Sequence, residues 1–205
     1  MRTLIFVDET FLEKLSKYFG QGKYLKYDKI KFAKRLAEKQ KLECAQIFYY
    51  TAPPFQSSAQ TEKEELLKKG YDRFVKKLRE NGVIVREGRC QRLKTDEGFI
   101  FRQKAVDVFM AMDLTNVLVK FKGIIRIILV ASDSDFVPVI NNLAENGVKT
   151  ILYTYYEKKR DTNFSRSNHL IKSVYKYVIL KMEDFMNLPI NNKEDLQGGT
   201  NKRDK

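Results

Sequence analysis

The sequence predicts an α/β fold built on a mainly parallel sheet. Three observations carry that expectation. Five short runs of branched and aromatic residues recur along the chain, longer helical runs separate them, and 43% of the 205 residues are apolar, enough for one good core.

The first strand is RTLIFVD, residues 2–8, apolar up to a terminal aspartate. CAQIFYYT (44–51), GVIVREG (82–88), GIIRIILVA (123–131) and VKTILYT (148–154) follow, each short, branched and bounded by turn or charged residues. Helices are expected over 28–41, 61–81, 105–120 and 135–146. Thr61 and Glu64 stand at capping-box spacing, and Asn146-Gly147 supplies a C-terminal stop. GRCQRLKTDEGFIFRQ (88–103) breaks the rhythm and reads as a charged hairpin or a long loop. The stretch 187–205 is polar with paired glycines, so a domain over 1–186 followed by a disordered tail is expected.

Charge narrows the function. Lys and Arg number 39 against 26 Asp and Glu, a net +13, and the tail accounts for only +1 of it. A field of that sign attracts polyanions, nucleic acid first and an anionic membrane surface second, with a merely solvated basic surface as the bland alternative. Cys44 and Cys90 are far apart and form no CxxC, so neither a disulfide framework nor a zinc site is suggested. No run reads as a signal peptide or a membrane span. A soluble cytoplasmic protein is therefore expected, with no membrane partner and an oligomeric state the sequence leaves open.

In an open parallel sheet, ligands gather beyond the C-terminal strand ends. Strand 2–8 ends at Asp8, and strand 123–131 delivers Ser132, Asp133, Ser134 and Asp135. If these two strands are neighbours, three carboxylates meet at one edge. Asp107, in the first turn of the helix 105–120, joins them, because a right-handed crossover starts its helix where the preceding strand ended. Four carboxylates from three segments suit a hard divalent cation. Asp113 lies on the apolar stripe of that helix with Val106, Met110, Leu114 and Val117, about 9 Å further along the axis at ~1.5 Å per residue. It is expected to be a buried supporting carboxylate in need of a partner. Taken singly, Asp135 has an equally good reading as a helix N-cap, and Asp8 as a strand-end turn residue. His169 is the one histidine, so a histidine-pair ribonuclease is excluded.

Asp8 after an apolar strand, QKAVDVFMAMDL at 103–114, and LVASDSDFVPVI at 129–140 followed by LAENGVKTILY together resemble the NYN domain, a branch of the PIN-like nucleases. The resemblance covers about residues 1–180. It implies a Rossmann-like three-layer sandwich of strand order 3-2-1-4-5, aspartates that bind Mg²⁺ or Mn²⁺, and cleavage of RNA to 5′-phosphate and 3′-hydroxyl ends. The matching positions are Asp8, Asp107, Asp113, Asp133 and Asp135. Asp8, Asp107 and Asp133 would hold the ion, Asp135 would place a water or a second ion, and Ser132, Asp113 and Glu9 would support them. Glu9 and Phe11 stand where the family usually has glycine and asparagine, Ala105 where glycine is usual, and a late aspartate near 173–180 is absent.

RNA would meet basic loops at the same edge. Arg89, Arg92, Lys94, Arg102 and Lys104 lie in one loop and Lys158, Lys159, Arg160 and Arg166 in another, with Tyr155, Tyr156 and Phe164 as aromatic faces for unpaired bases. A degenerate domain that binds RNA or a protein without cutting is the second reading. A phosphatase resembling the haloacid dehalogenases is a distant third, since Thr10 stands where its second aspartate is usual.

Overall fold

The computed structural model describes residues 1–96, 98–157 and 164–190. In chain order they form β1 (Arg2–Asp8), α1 (Glu9–Phe19), α2 (Lys29–Lys39), β2 (Glu43–Thr51), α3 (Glu62–Glu80), β3 (Ile84–Glu87), β4 (Arg89–Thr95) and β5 (Gly98–Lys104). Then come α4 (Val106–Lys120), β6 (Arg126–Val130), a 3-10 turn Ser134–Phe136, α5 (Val137–Glu145), β7 (Lys149–Thr154), α6 (Asn168–Ser173), β8 (Lys176–Ile179) and α7 (Met182–Phe185).

Six strands pair in the order β3-β2-β1-β6-β7-β8, every neighbouring pair parallel. The five predicted strands keep the expected 3-2-1-4-5 order. The sixth, β8, extends that order by one edge strand that sequence analysis assigned to no element.

Alternation along the strands sorts side chains onto two faces. Ile5 and Val7 of β1 pack under α1, α2 and α3 with Phe11, Leu15, Phe32, Leu36 and Val75. Leu4 and Phe6 pack under α4 and α5 with Met110, Leu114, Ile140 and Leu143. The same parity puts Asp8 on the α4 side. In β6, Ile127, Leu129 and the following Ala131 share that face, and the extended backbone of Asp133 carries the alternation onward.

Sequence analysis also gave no element to 9–19. Helix α1 forms there because Asp8 caps it and Phe11, Leu12 and Leu15 recur at helical spacing to bury one face. Helix α3 starts at its predicted capping box, Thr61 with Glu64, and α5 ends at Asn146 with Gly147 at φ 82. The 88–103 segment is a hairpin, β4 antiparallel to β5, outside the main sheet. Gly88 stands where the hairpin strands meet their root: a Cβ there would come within 2.3 Å of the Lys104 carbonyl oxygen.

Past the expected boundary at 186 the chain stays on the fold. Leu188 is buried and its carbonyl accepts from the Asp28 N–H at 2.9 Å, while Lys31 donates to the Pro189 carbonyl at 2.9 Å. Residues 191–205 of the expected tail lie outside the described residues. Among the described residues no helix is long and apolar enough to cross a membrane.

Ala105 caps α4 at φ 68, in the left-handed region, without a side-chain cap. A Cβ there costs about 1 kcal/mol. Ala105→Gly is accordingly expected to raise the melting temperature by roughly 2–4 °C. A lower melting temperature in that variant would contradict this account of the α4 start.

Candidate active site

The sheet order reverses between β1 and β6, whose crossovers leave toward opposite faces, so a crevice opens at their C-terminal ends. Asp8 ends β1, and Asp133 follows β6 by three residues. Asp107 enters from the first turn of α4. Three helical starts thus point at one place, and the partial positive charge of their free N–H groups favours carboxylates there.

Asp8 is only 7% exposed and is itself the cap of α1, accepting from the Phe11 N–H at 3.3 Å. Burial pushes its carboxyl up to about 7, the Phe11 N–H works against that rise, and the negative charges of Asp107 and Asp133 add to it. Asp107 is exposed, yet its carboxyl is also raised, by partial burial first and then by Asp133 and Asp135. The four predicted carboxylates therefore feel one another. Asp133, not Asp135, is the local cap: its Oδ1 accepts from the Asp135 N–H at 2.9 Å. Asp135 and Ser132 are exposed beside it.

The cluster is nevertheless open. Among the described residues no three His, Cys, Asp or Glu side chains stand together as a ready cage for a metal ion. In chemistry the donor set fits a hard oxygen-seeking cation: acidic oxygens only, one of them on a buried carboxyl that its acidic neighbours make harder to ionise.

Asp113 has the partner it was expected to need. Arg86 of β3 grips it with two bonds, Nε at 2.8 Å and a terminal nitrogen at 3.0 Å, and the Tyr50 hydroxyl donates at 3.0 Å. Burial and this carboxylate hold the Tyr50 phenol far above its ordinary value. Because Tyr50 pairs in register with Asp8, the network braces the strand end beside the cluster.

Glu9, expected to support the cluster, turns instead to α2. Its Oε1 meets the Lys29 ammonium at 3.3 Å, and Lys29 also donates to the Tyr27 hydroxyl at 3.0 Å. Burial pushes Glu9 up to about 7 while Lys29 opposes the rise, and Oε2 has no partner among the described residues. Phe11 is buried in the core.

Arg89, Arg92, Lys94, Arg102 and Lys104 all lie on the β4–β5 hairpin, whose last residue is three positions before Asp107. Lys158, Lys159 and Arg160 lie outside the described residues, and Arg166 stands over the Tyr156 ring at 5.1 Å. The aromatic faces expected beside them are largely used in packing. Phe164 is buried, and Tyr155 and Phe164 meet Tyr18 at 5.6 and 5.1 Å. Sequence analysis missed the residues that root the hairpin, the Thr10 hydroxyl donating to Gln103 Oε1 at 2.9 Å. It also missed the exposed rings of Phe99 and Phe101, whose signal was the run GFIF in a segment otherwise charged.

A parallel sheet that brings aspartates from three helical starts to its switch point is the framework of the PIN-like nuclease superfamily, whose members generally use divalent metals. Within it, the NYN domain model matches residues 2–179, and the chain belongs to that family, whose domains generally act on RNA. A crystal structure of a protein of unknown function from Vibrio parahaemolyticus is 18% identical over 90% of this chain and 94% of that one, with a TM-score of 0.58, a likeness of fold. No curated protein matches the chain.

Proposed function

We propose that the chain is a metal-dependent ribonuclease that hydrolyses RNA phosphodiester bonds. The observation that carries this reading is the buried Asp8 carboxyl, raised to about 7 in company with Asp107 and Asp133, in a chain of the NYN family. Asp8, Asp107 and Asp133 would hold Mg²⁺ or Mn²⁺, with Asp135 beside them. Such an ion, when bound, lowers the pKa of its water and neutralises charge on a phosphate. Backbone N–H groups orient Asp8 and Asp133, and burial shields Asp8 from bulk water. The cationic hairpin draws the phosphate backbone toward this acidic centre.

The test is incubation with single-stranded and structured RNAs and DNAs in Mn²⁺, Mg²⁺ or chelator. RNA cleaved only with the ion, leaving 5′-phosphate ends, is expected. Ion-independent cleavage would refute the reading. A second reading, an RNA- or protein-binding module without cleavage, is favoured by the open carboxylates and by Phe11 buried where the family usually has asparagine. Binding of RNA without cleavage under every ion condition would select it.

Asp8 also links stability to pH. Its folded value of about 7 lies above the ordinary 3.8, so between them the folded chain keeps a proton that the unfolded chain has lost. The stability this confers is fully present below about 3.8 and is lost as pH rises through about 7. In chelator, wild type should lose on the order of 2–3 kcal/mol between pH 5 and 8 that Asp8→Asn protein does not. Mn²⁺ at pH 8 should raise the wild-type melting temperature and leave Asp8→Asn/Asp133→Asn protein unchanged. Melting curves of wild type and Asp8→Asn that run parallel across this range would refute the buried, ionising Asp8.

A further inference from the structure

The β4–β5 hairpin carries its charge and its exposed rings in an ordered way. In an antiparallel pair, directly opposed residues share a face. Arg92 opposes Phe101 and Lys94 opposes Phe99, so two rings and two cations alternate on one face. Phe99 is 57% exposed and Phe101 58%, more than apolar rings need to be on a hairpin packed for stability alone. Arg92 is fixed between Phe55 at 4.8 Å and Phe99 at 4.6 Å, and Phe101 leans on Phe55 at 5.5 Å. Cation and rings are therefore held in place before any ligand arrives. Further along this face comes Gln103, bonded to Thr10 two residues after Asp8.

We propose that this face is a stacking platform that takes an unpaired RNA strand and delivers it to the aspartates. The inference rests on the ribonuclease reading and specifies its substrate class. An unpaired base offers a flat π-face to Phe99 or Phe101, while the phosphates beside it meet Arg92 and Lys94. A duplex buries those faces within its own stack and offers only phosphates. Phe101 lies three strand residues above the hairpin root, ~10 Å at ~3.3 Å per residue. That is the length of about three stacked nucleotides at ~3.4 Å each. The strand would bridge from the rings to the cluster with no base left to pair.

The test measures binding by the full chain in chelator, with a labelled unstructured single-stranded RNA and a blunt duplex of the same sequence. The single strand should bind more tightly. Phe99→Ala/Phe101→Ala should lose about tenfold affinity per ring for the single strand and little for the duplex. Its melting temperature should fall by only a few degrees, since both half-exposed rings give up little more than their contacts with Arg92 and Phe55, and its salt dependence should hold, whereas Lys94→Ala should flatten that dependence. The chain has no tryptophan, so Phe99→Trp adds a single reporter, whose emission should change as the single strand stacks on it. Equal affinity for duplex and single strand, or unchanged affinity in the double alanine variant, would overturn the proposal. So would a double variant that changes only the protein's own association state, which would make the patch a protein contact. If RNA is still cleaved in those cases, the nuclease reading stands without the platform; a chain that neither binds nor cleaves RNA removes both.

Discussion

Asp133→Asn or Asp8→Asn is expected to reduce metal-dependent RNA cleavage by more than the ~100-fold that loss of an outer metal contact brings. Both variants should fold. An asparagine oxygen can still accept the Phe11 N–H at position 8 and the Asp135 N–H at position 133, so the caps of α1 and of the turn before α5 survive. RNA affinity in chelator should stay within a few-fold of wild type, because the cations that meet phosphate stand on the hairpin. The measurement is a single-turnover time course beside an affinity titration. Wild-type rates in either variant would show that the cleaving centre lies elsewhere on the chain.

The second large effect is on stability. Arg86→Ala leaves the Asp113 carboxylate buried with only the Tyr50 hydroxyl for company. Breaking a fully buried pair costs about 3–5 kcal/mol. The Arg86 side chain is 45% exposed, so water screens part of that, and a loss on the order of 2 kcal/mol is expected, roughly 4–8 °C in melting temperature. Arg86→Lys should recover little, since a single ammonium cannot reproduce the two-bond grip. Lys69→Ala, which removes an exposed helical pair with Glu65 at 3.6 Å, should change less than 0.5 kcal/mol by the usual ~0.3–0.5 for such pairs. Asp113→Asn should keep the Mn²⁺-dependent rise in melting temperature. Its disappearance would place Asp113 on the ion instead.

The two outcomes also mark what the sequence could reveal. Asp8, Asp107, Asp133 and Asp135 were legible because strand ends and helix starts are fixed by local pattern, and parallel topology sends those ends to one edge. The partner of Asp113 was not. Arg86 sits in a strand 27 residues away, and only the lateral order of β2 and β3 against α4 brings it there. The Lys29 pairing of Glu9 was hidden for a related reason: its neighbour in sequence faces the cluster, whereas the first turn of α1 carries Glu9 to Lys29, still within reach of the Asp8 charge. The helix 9–19 carries its own cap and stripe, but its cap is Asp8, one residue that ends the strand, starts the helix and faces the cluster at once. At four residues, KYVI, β8 was too short to stand out without its neighbour β7. The aromatic platform shows the same limit from the other side, since exposure is a property of the fold and GFIF alone does not tell a core strand from a surface one.

Both margins of the sheet are strands of four residues, β3 and β8, whereas the four between them run from five to nine. An unpaired strand edge is a template on which a neighbouring molecule, or a half-folded one, can add a strand of its own. Here each template is short and carries charge, Arg86 and Glu87 on one side and Lys176 on the other. With few amides on offer, and a net charge of +13 on each chain, nascent copies gain little by pairing with one another. The residues that finish the sheet are also its guard against aggregation while it folds.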